Sequence, residues 1–284
     1  MTKLILALLC LIAAPQVLAR SPAPLVVLPL HEDGHIPVID LLLNGKRVQF
    51  AMDTGAIYTI VDSSLAQRQK LPDLGATSLR GAGSGSAPAK RVGELSFRAG
   101  GLTFKLPDVI AVDLSQTGTG KPLDGLLGFE FFSRYVVAMN FDKGTLSLYA
   151  ADGYAYPDTG AAIPLVLKPP RAFVKVSVAA QGVGAEEHEL RLDSGSNDEV
   201  DDDIVLRSSG PKRNITGGVG LGSTFATLLG TVSELRIGPY VLHDLSSATG
   251  GVQLIGGGVL QRFNIVYDFS RSVMYLAPRT GAGK

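Results

Sequence analysis

The sequence predicts a mainly β protein made of two similar lobes. Three observations carry that expectation. Gly (34) and Pro (16) punctuate a chain of 284 residues through which no long helical periodicity runs, as in a turn-rich strand protein. The run Phe50-Ala51-Met52-Asp53-Thr54-Gly55-Ala56 returns as Leu190-Arg191-Leu192-Asp193-Ser194-Gly195-Ser196, its acid 193 − 53 = 140 residues further on. The stretch after Gly128 also matches the stretch after Gly256 without a gap, at an offset of 256 − 128 = 128. Arg134-Tyr135 falls on Arg262-Phe263, Asn140-Phe141 on Asp268-Phe269, and Leu148 on Leu276. A repeat this long marks two copies of one unit, because solenoid repeats are far shorter.

Apolar residues make up 45% of the chain and charged residues 18%, enough to build a sizeable core and too apolar for general disorder. The net charge of +0 gives no electrostatic reason to expect nucleic acid or an anionic membrane as partner. Lys3, the apolar run Leu4 to Ala14 and the small-residue site Val17-Leu18-Ala19 before Arg20 have the order of a cleaved signal peptide over residues 1–19. The expected location is therefore periplasmic or secreted. That run is too short to span a bilayer comfortably and no other stretch qualifies, so no stable membrane insertion is expected. Cys10 is the one cysteine, and Leu9 before it is not the small residue a lipidation signal needs. A mature chain without cysteine has no disulfide or thiol chemistry.

Along the mature chain, residues 20–28 read as an extended, Pro-rich lead-in. His35 to Leu43 is strand-like, Asn44-Gly45 is a hairpin turn in which both residues tolerate positive φ, and Arg47 to Met52 is the return strand that delivers Asp53. Ile57, Ile60, Val61 and Leu65 lead into a short helix around Ser63 to Gln69. Residues 81–88 are glycine-rich, and Glu94 to Val112 reads as two or three strands. Leu123-Asp124-Gly125-Leu126-Leu127-Gly128 precedes Phe131, Phe132 and a strand pair, Tyr135 to Phe141 and Thr145 to Tyr149. Residues 151–170, rich in Pro, Gly, Ala and Tyr, are the expected linker between an N-terminal lobe, 20–150, and a C-terminal lobe, 171–284. There, Phe173 to Val178 and Glu189 to Leu192 make the opening hairpin around Gly182-Val183-Gly184. Gly217-Gly218-Val219-Gly220 stands where a second glycine-rich loop belongs, and Leu254-Ile255-Gly256 echoes Leu126-Leu127-Gly128.

Two aspartates, each at a strand end and each followed by a hydroxyl residue and glycine, point to a carboxyl pair at a pseudo-twofold axis. Two carboxyl groups a few Å apart cannot both ionise easily, so they share a proton. The ionised one can draw a proton from water while the protonated one polarises a carbonyl oxygen. Glycine lets the two backbones approach closely. A single Asp-Thr-Gly is a weak signal; two in matching settings are much stronger.

On these residues the chain resembles the aspartic protease superfamily, and within it the bacterial retropepsin-like proteins that carry two fused copies of the domain. Asp53-Thr54-Gly55-Ala56 matches the family's Asp-Thr-Gly-Ala motif and Asp193-Ser194-Gly195-Ser196 its Asp-Ser-Gly-Ser/Thr form. The resemblance covers nearly all of the mature chain. It implies a two-lobed acid-protease-like β-barrel fold with pseudo-twofold symmetry. It also implies catalytic Asp53 and Asp193, supported by Thr54, Gly55, Ser194 and Gly195, and a flap over substrate that includes Gly81, Gly83, Ser84 and Gly85. The apolar-apolar-Gly run would pack behind the first aspartate. The implied reaction is hydrolysis of a peptide bond in a peptide or protein substrate, with no metal or organic cofactor, by a monomer whose lobes stand in for two subunits. Pepsin-type flaps carry a tyrosine, and residues 81–88 have none. The alternatives are a catalytically inactive binder of peptides or envelope ligands, and a homodimer that uses only Asp53 of each chain.

After Asp53 the chain is apolar, whereas after Asp193 it runs Asn197, Asp198, Glu199, Val200, Asp201, Asp202, Asp203. The expectation is a solvated loop; a cation site and a decayed second lobe are the alternatives. Gly118-Thr119-Gly120-Lys121 is rejected as a phosphate loop, because Ser115 replaces the first glycine and Pro122 the Ser/Thr. No Gly-x-Ser-x-Gly elbow occurs. His31 and His35 lie in a lead-in rather than on a helix, so a zinc site is not expected.

Overall fold

Each half of the chain follows one strand plan. The first contains β1 (Val26–Asp33), β2 (Ile36–Leu43), β3 (Lys46–Met52), β4 (Ile60–Asp62), α1 (Ser63–Arg68), β5 (Ala76–Leu79), β6 (Ala87–Ala99), β7 (Leu102–Val112), β8 (Gly125–Leu127), α2 (Phe129–Phe132), β9 (Tyr135–Asn140) and β10 (Thr145–Ala150). The second contains β11 (Ala161–Lys168), β12 (Arg171–Ala180), β13 (Val183–Asp193), β14 (Val200–Asp201), α3 (Ile204–Arg207), β15 (Arg213–Gly217), β16 (Phe225–Ile237), β17 (Tyr240–Ala248), β18 (Leu254–Gly256), α4 (Gly257–Leu260), β19 (Phe263–Asp268) and β20 (Val273–Pro278). The computed structural model describes residues 23–81, 85–115, 122–218, 221 and 223–280. The expected signal peptide, and Gly83 and Ser84 of the expected flap, lie outside the described residues, as do Val219 and Gly220.

The pairings repeat between the halves. β3 lies parallel to β8 and β13 parallel to β18. β4 lies parallel to β7 and β14 parallel to β17. The hairpins β2–β3 and β12–β13 correspond, as do the meanders β5–β6–β7 and β15–β16–β17. The fold is mainly β, 58% strand and 9% helix, with a ring of strands.

Between the halves runs one antiparallel sheet in the order β1–β10–β9–β19–β20–β11. At its centre Ala138 pairs with Val266, its own counterpart at the offset 266 − 138 = 128. The neighbours pair reciprocally, Met139 with Ile265 and Val137 with Tyr267. A duplicated strand meeting its copy across a twofold axis gives this register. α2 and α4, β9 and β19, and β10 and β20 keep the same offset.

Local chemistry explains the elements. Asn44 (φ 51°) and Gly45 (φ 76°) close the first hairpin, a turn whose twist suits paired strands and which needs positive φ at both residues. Asp62 caps α1, its Oδ1 accepting the Ser64 N–H at 2.8 Å, which satisfies one of the helix's free donors. Glu94 to Val112 belongs to two long strands, β6 and β7, and β6 begins earlier, at Ala87. Residues 161–168, inside the expected linker, form β11, which pairs with β20 and β12 and buries Ile163 and Leu165.

One hydrophobic core runs through both halves, with Phe50, Phe97, Phe131, Phe132 and Tyr267 fully buried. Phe132 meets Tyr267 edge-on at 5.5 Å and Phe269 at 5.7 Å, so α2 is anchored on the second half. Such aromatic pairs add about 1 kcal/mol each beyond the area they bury.

Candidate active site

β3 ends on fully buried Met52, and the next residue, Asp53, donates its N–H to the Leu127 carbonyl at 3.0 Å. β8 threads between β3 and the chain beyond the motif. A β carbon at Gly128 would lie 2.5 Å from the Tyr58 carbonyl oxygen, so no side chain fits there. The second half does the same: β13 delivers Asp193, and a β carbon at Gly256 would lie 2.2 Å from the Asp198 carbonyl oxygen. The apolar-apolar-Gly runs therefore hold the aspartate loops from behind, as the resemblance implies.

The two loops meet. The Thr54 N–H donates to Ser194 Oγ at 3.0 Å, and the Ser194 N–H donates to Thr54 Oγ1 at 3.0 Å. Ser194 Oγ also donates to the Met52 carbonyl at 2.6 Å. Both side chains are buried. The hydroxyls thus tie backbone to backbone across the halves. Each glycine backs the opposite acid: a β carbon at Gly55 would lie 2.4 Å from Asp193 Cγ, and one at Gly195 2.3 Å from Asp53 Cγ. Asp53 and Asp193 therefore sit at one place, each against the other half's loop.

Their surroundings differ. Asp53 is half-buried, its Oδ1 accepting the N–H groups of Gly55 at 2.9 Å and Ala56 at 3.0 Å. Burial, and then the Asp193 carboxylate, raise its pKa to about 7, against the pull of Arg191 and those two N–H groups. Asp193 is 8% exposed, and Arg191 Nη2 donates to its Oδ2 at 2.6 Å. Asp53 is thus the acid whose surroundings favour the protonated form, and the Arg191 guanidinium lies against Asp193.

Arg191 is the residue beside the pair that the motifs did not single out. The signal was present, because residues two apart on a strand share a face, and Arg191 stands two before Asp193. The acidic run after Asp193 also differs from the expected solvated loop. Asp202 is 1% exposed, with its Oδ2 2.6 Å from His188 Nδ1 and its Oδ1 accepting the Ile204 N–H at 2.7 Å. Glu199 pairs with Arg262 and holds the Ser246 N–H. Asp201, whose buried Oδ1 has no partner among the described residues, is pushed up to about 7 by burial, then by Asp198. The run packs against β13, β17 and α4, and side chains that looked solvated in one dimension find partners 14 to 63 residues away. Among the described residues no group of His, Cys, Asp or Glu is arranged to hold a metal.

At the rim, a β carbon on Gly81 would lie 2.5 Å from Leu221 Cβ, so the glycine-rich segments of the two halves touch. Among the described residues nothing lies within 4 Å of a β carbon added at Gly85 (φ 77°). Two cavities of about 540 and 480 Å³ are lined by neither Asp53 nor Asp193. The larger, beside His35 and α4, has its Arg262 paired with Glu199 and its Arg279 with Glu32. Among the described residues no helix is long and apolar enough to cross a membrane.

Comparison with curated proteins gives no match. A model of the aspartyl protease family matches residues 39–131. Over that segment, which carries Asp53-Thr54-Gly55-Ala56 and the β8 thread behind it, the chain is similar to aspartyl proteases.

Proposed function

We propose that the protein is an aspartic endopeptidase, acting as a monomer, in which Asp53 and Asp193 activate a water molecule against a peptide carbonyl. The observation that carries this reading is the reciprocal exchange at the motifs: Thr54 and Ser194 trade hydrogen bonds, and each aspartate packs on the other half's glycine. A carboxyl pair of unequal charge state supplies both a base for water and an acid for the carbonyl oxygen. No covalent intermediate is needed. The exchange lies within one chain, which supports a site complete without a partner subunit. The contact of Gly81 with Leu221 supports a cover over the substrate backbone. The composition of residues 1–19 supports export, and N-terminal sequencing of the secreted or periplasmic protein should then begin at Arg20.

The test is turnover of a peptide library by the wild type and by Asp53→Asn. The variant should lose cleavage while its circular dichroism spectrum is unchanged. A statine-type transition-state mimic should inhibit the wild type. Unchanged cleavage by Asp53→Asn rules out the mechanism, and a wild type that binds peptides without cutting them favours the binding-protein alternative.

A further inference from the structure

The two motifs match in their backbone exchange but not in what precedes each acid. In β3 the residue two before the aspartate is buried Ala51; in β13 it is Arg191. The Arg191 side chain is 11% exposed, donates to Asp193 Oδ2 at 2.6 Å, and has a buried Nε with no hydrogen-bond partner among the described residues. The other charged groups facing Asp193 are Asp53 across the axis and Asp201 on β14, which Asp198 faces in turn. β18, packed on β13, contributes Leu254, Ile255 and Gly256, none of which ionises.

We propose that Arg191 is the positioning residue that makes the pair unequal, holding Asp193 as the ionised partner that takes a proton from water and leaving Asp53 as the partner that donates one to the substrate carbonyl. The assignment rests on the aspartic-peptidase reading above. The water oxygen bonds to the carbonyl carbon as its proton passes to Asp193, and the carbonyl oxygen takes the Asp53 proton. The C–N bond then breaks, the nitrogen takes the proton from Asp193, and one hydroxyl of the diol returns its proton to Asp53. Both acids end as they began, and one water is consumed per bond cut. A guanidinium in contact favours the ionised form of a carboxyl, and Arg191 sits on one side of the pair, where β3 has Ala51. The Asp53 proton is held by burial and by the Asp193 charge.

The test compares wild type, Arg191→Gln and Arg191→Lys in two measurements. In the pH profile of kcat/KM, Arg191→Gln should shift both limbs upward, by about one to three pH units. Arg191→Lys should keep the limbs near those of the wild type even where turnover falls. Carboxyl carbon NMR of the intact protein provides a readout that needs no activity. At about pH 5, between ordinary carboxyl and imidazole values, wild-type Asp193 should be ionised and Asp53 protonated, and Arg191→Gln should remove that difference. Superimposable profiles for wild type and Arg191→Gln, or wild-type spectra with the proton on Asp193, overturn the assignment. If the wild type cuts no peptide, the peptidase reading falls while the spectra still decide the role of Arg191. If Arg191→Gln does not fold, the wild-type spectra decide it alone.

Discussion

Gly55 and Gly195 show how little room the site leaves. Gly55→Ala would drive a methyl into Asp193 Cγ at 2.4 Å, and overpacking of this kind costs about 1–3 kcal/mol. It should lower the unfolding free energy by that amount in urea titrations and abolish cleavage, whereas Gly45→Ala, with nothing described within 4 Å of the added carbon, should cost only its positive-φ strain and leave cleavage intact. Asp53 sets the pH response. Its folded pKa is raised to about 7, so at a pH below its unfolded value both states hold the proton and no penalty arises. As pH climbs from about 4 to 7 the unfolded state releases its proton first, and stability falls until the folded group also ionises. Asp53→Asn should therefore gain stability relative to wild type between about pH 5 and 8 in parallel urea titrations. Peptide cleavage should decline as pH passes about 7, because the proton-bearing acid is lost.

At the scale of elements, the ion-pair cluster beneath the second loop is the part with most at stake. His188 lies between Asp202 at 2.6 Å and Glu186 at 3.4 Å, and Arg207 grips Glu186 with both Nη atoms. Burial opposes the charge on His188, but the two carboxylates outweigh it and its pKa is raised. Its contribution should be full below the ordinary imidazole value and fade as pH rises through the raised one. His188→Ala leaves Asp202 buried without its cation and should cost about 3–5 kcal/mol at pH 6, read from denaturant melts, with the difference shrinking in alkaline buffer. The hairpins, the β8 and β18 threads and α1 were legible in the sequence because each rests on local signals: alternation, Asn44-Gly45, and a glycine after two apolar residues. β11 was not, because Pro, Gly and Tyr within 151–170 masked the alternation of Ile163 and Leu165 that its partners β20 and β12 bury. The burial of Asp202 was not legible either, since it depends on His188 and Ser247 arriving from other strands. Of the candidate site, both acids and their hydroxyl and glycine neighbours were readable as motifs. That Thr54 and Ser194 bond across the halves instead of to the carboxylates needed coordinates.

At the scale of the whole molecule, the halves share a sheet, an aromatic core and the site itself. β9 pairs with β19, Phe132 packs on Tyr267 and Phe269, and Asn264 Oδ1 accepts the Phe141 N–H at 2.8 Å. A piece ending near residue 150 would expose β9 as an unpaired, apolar edge, which favours aggregation. The intact protein should unfold in one cooperative step, with the same midpoint by circular dichroism and tyrosine fluorescence. The most direct test of the shared carboxyl pair is cleavage by Asp193→Asn measured alongside the solution mass of the wild type. A complete intramolecular site leads to a monomer whose Asp193→Asn variant is inactive, with kcat down by about 10³-fold or more. A dimer whose Asp193→Asn variant still cuts at the wild-type rate would contradict it, because the site would then be assembled from two copies of Asp53.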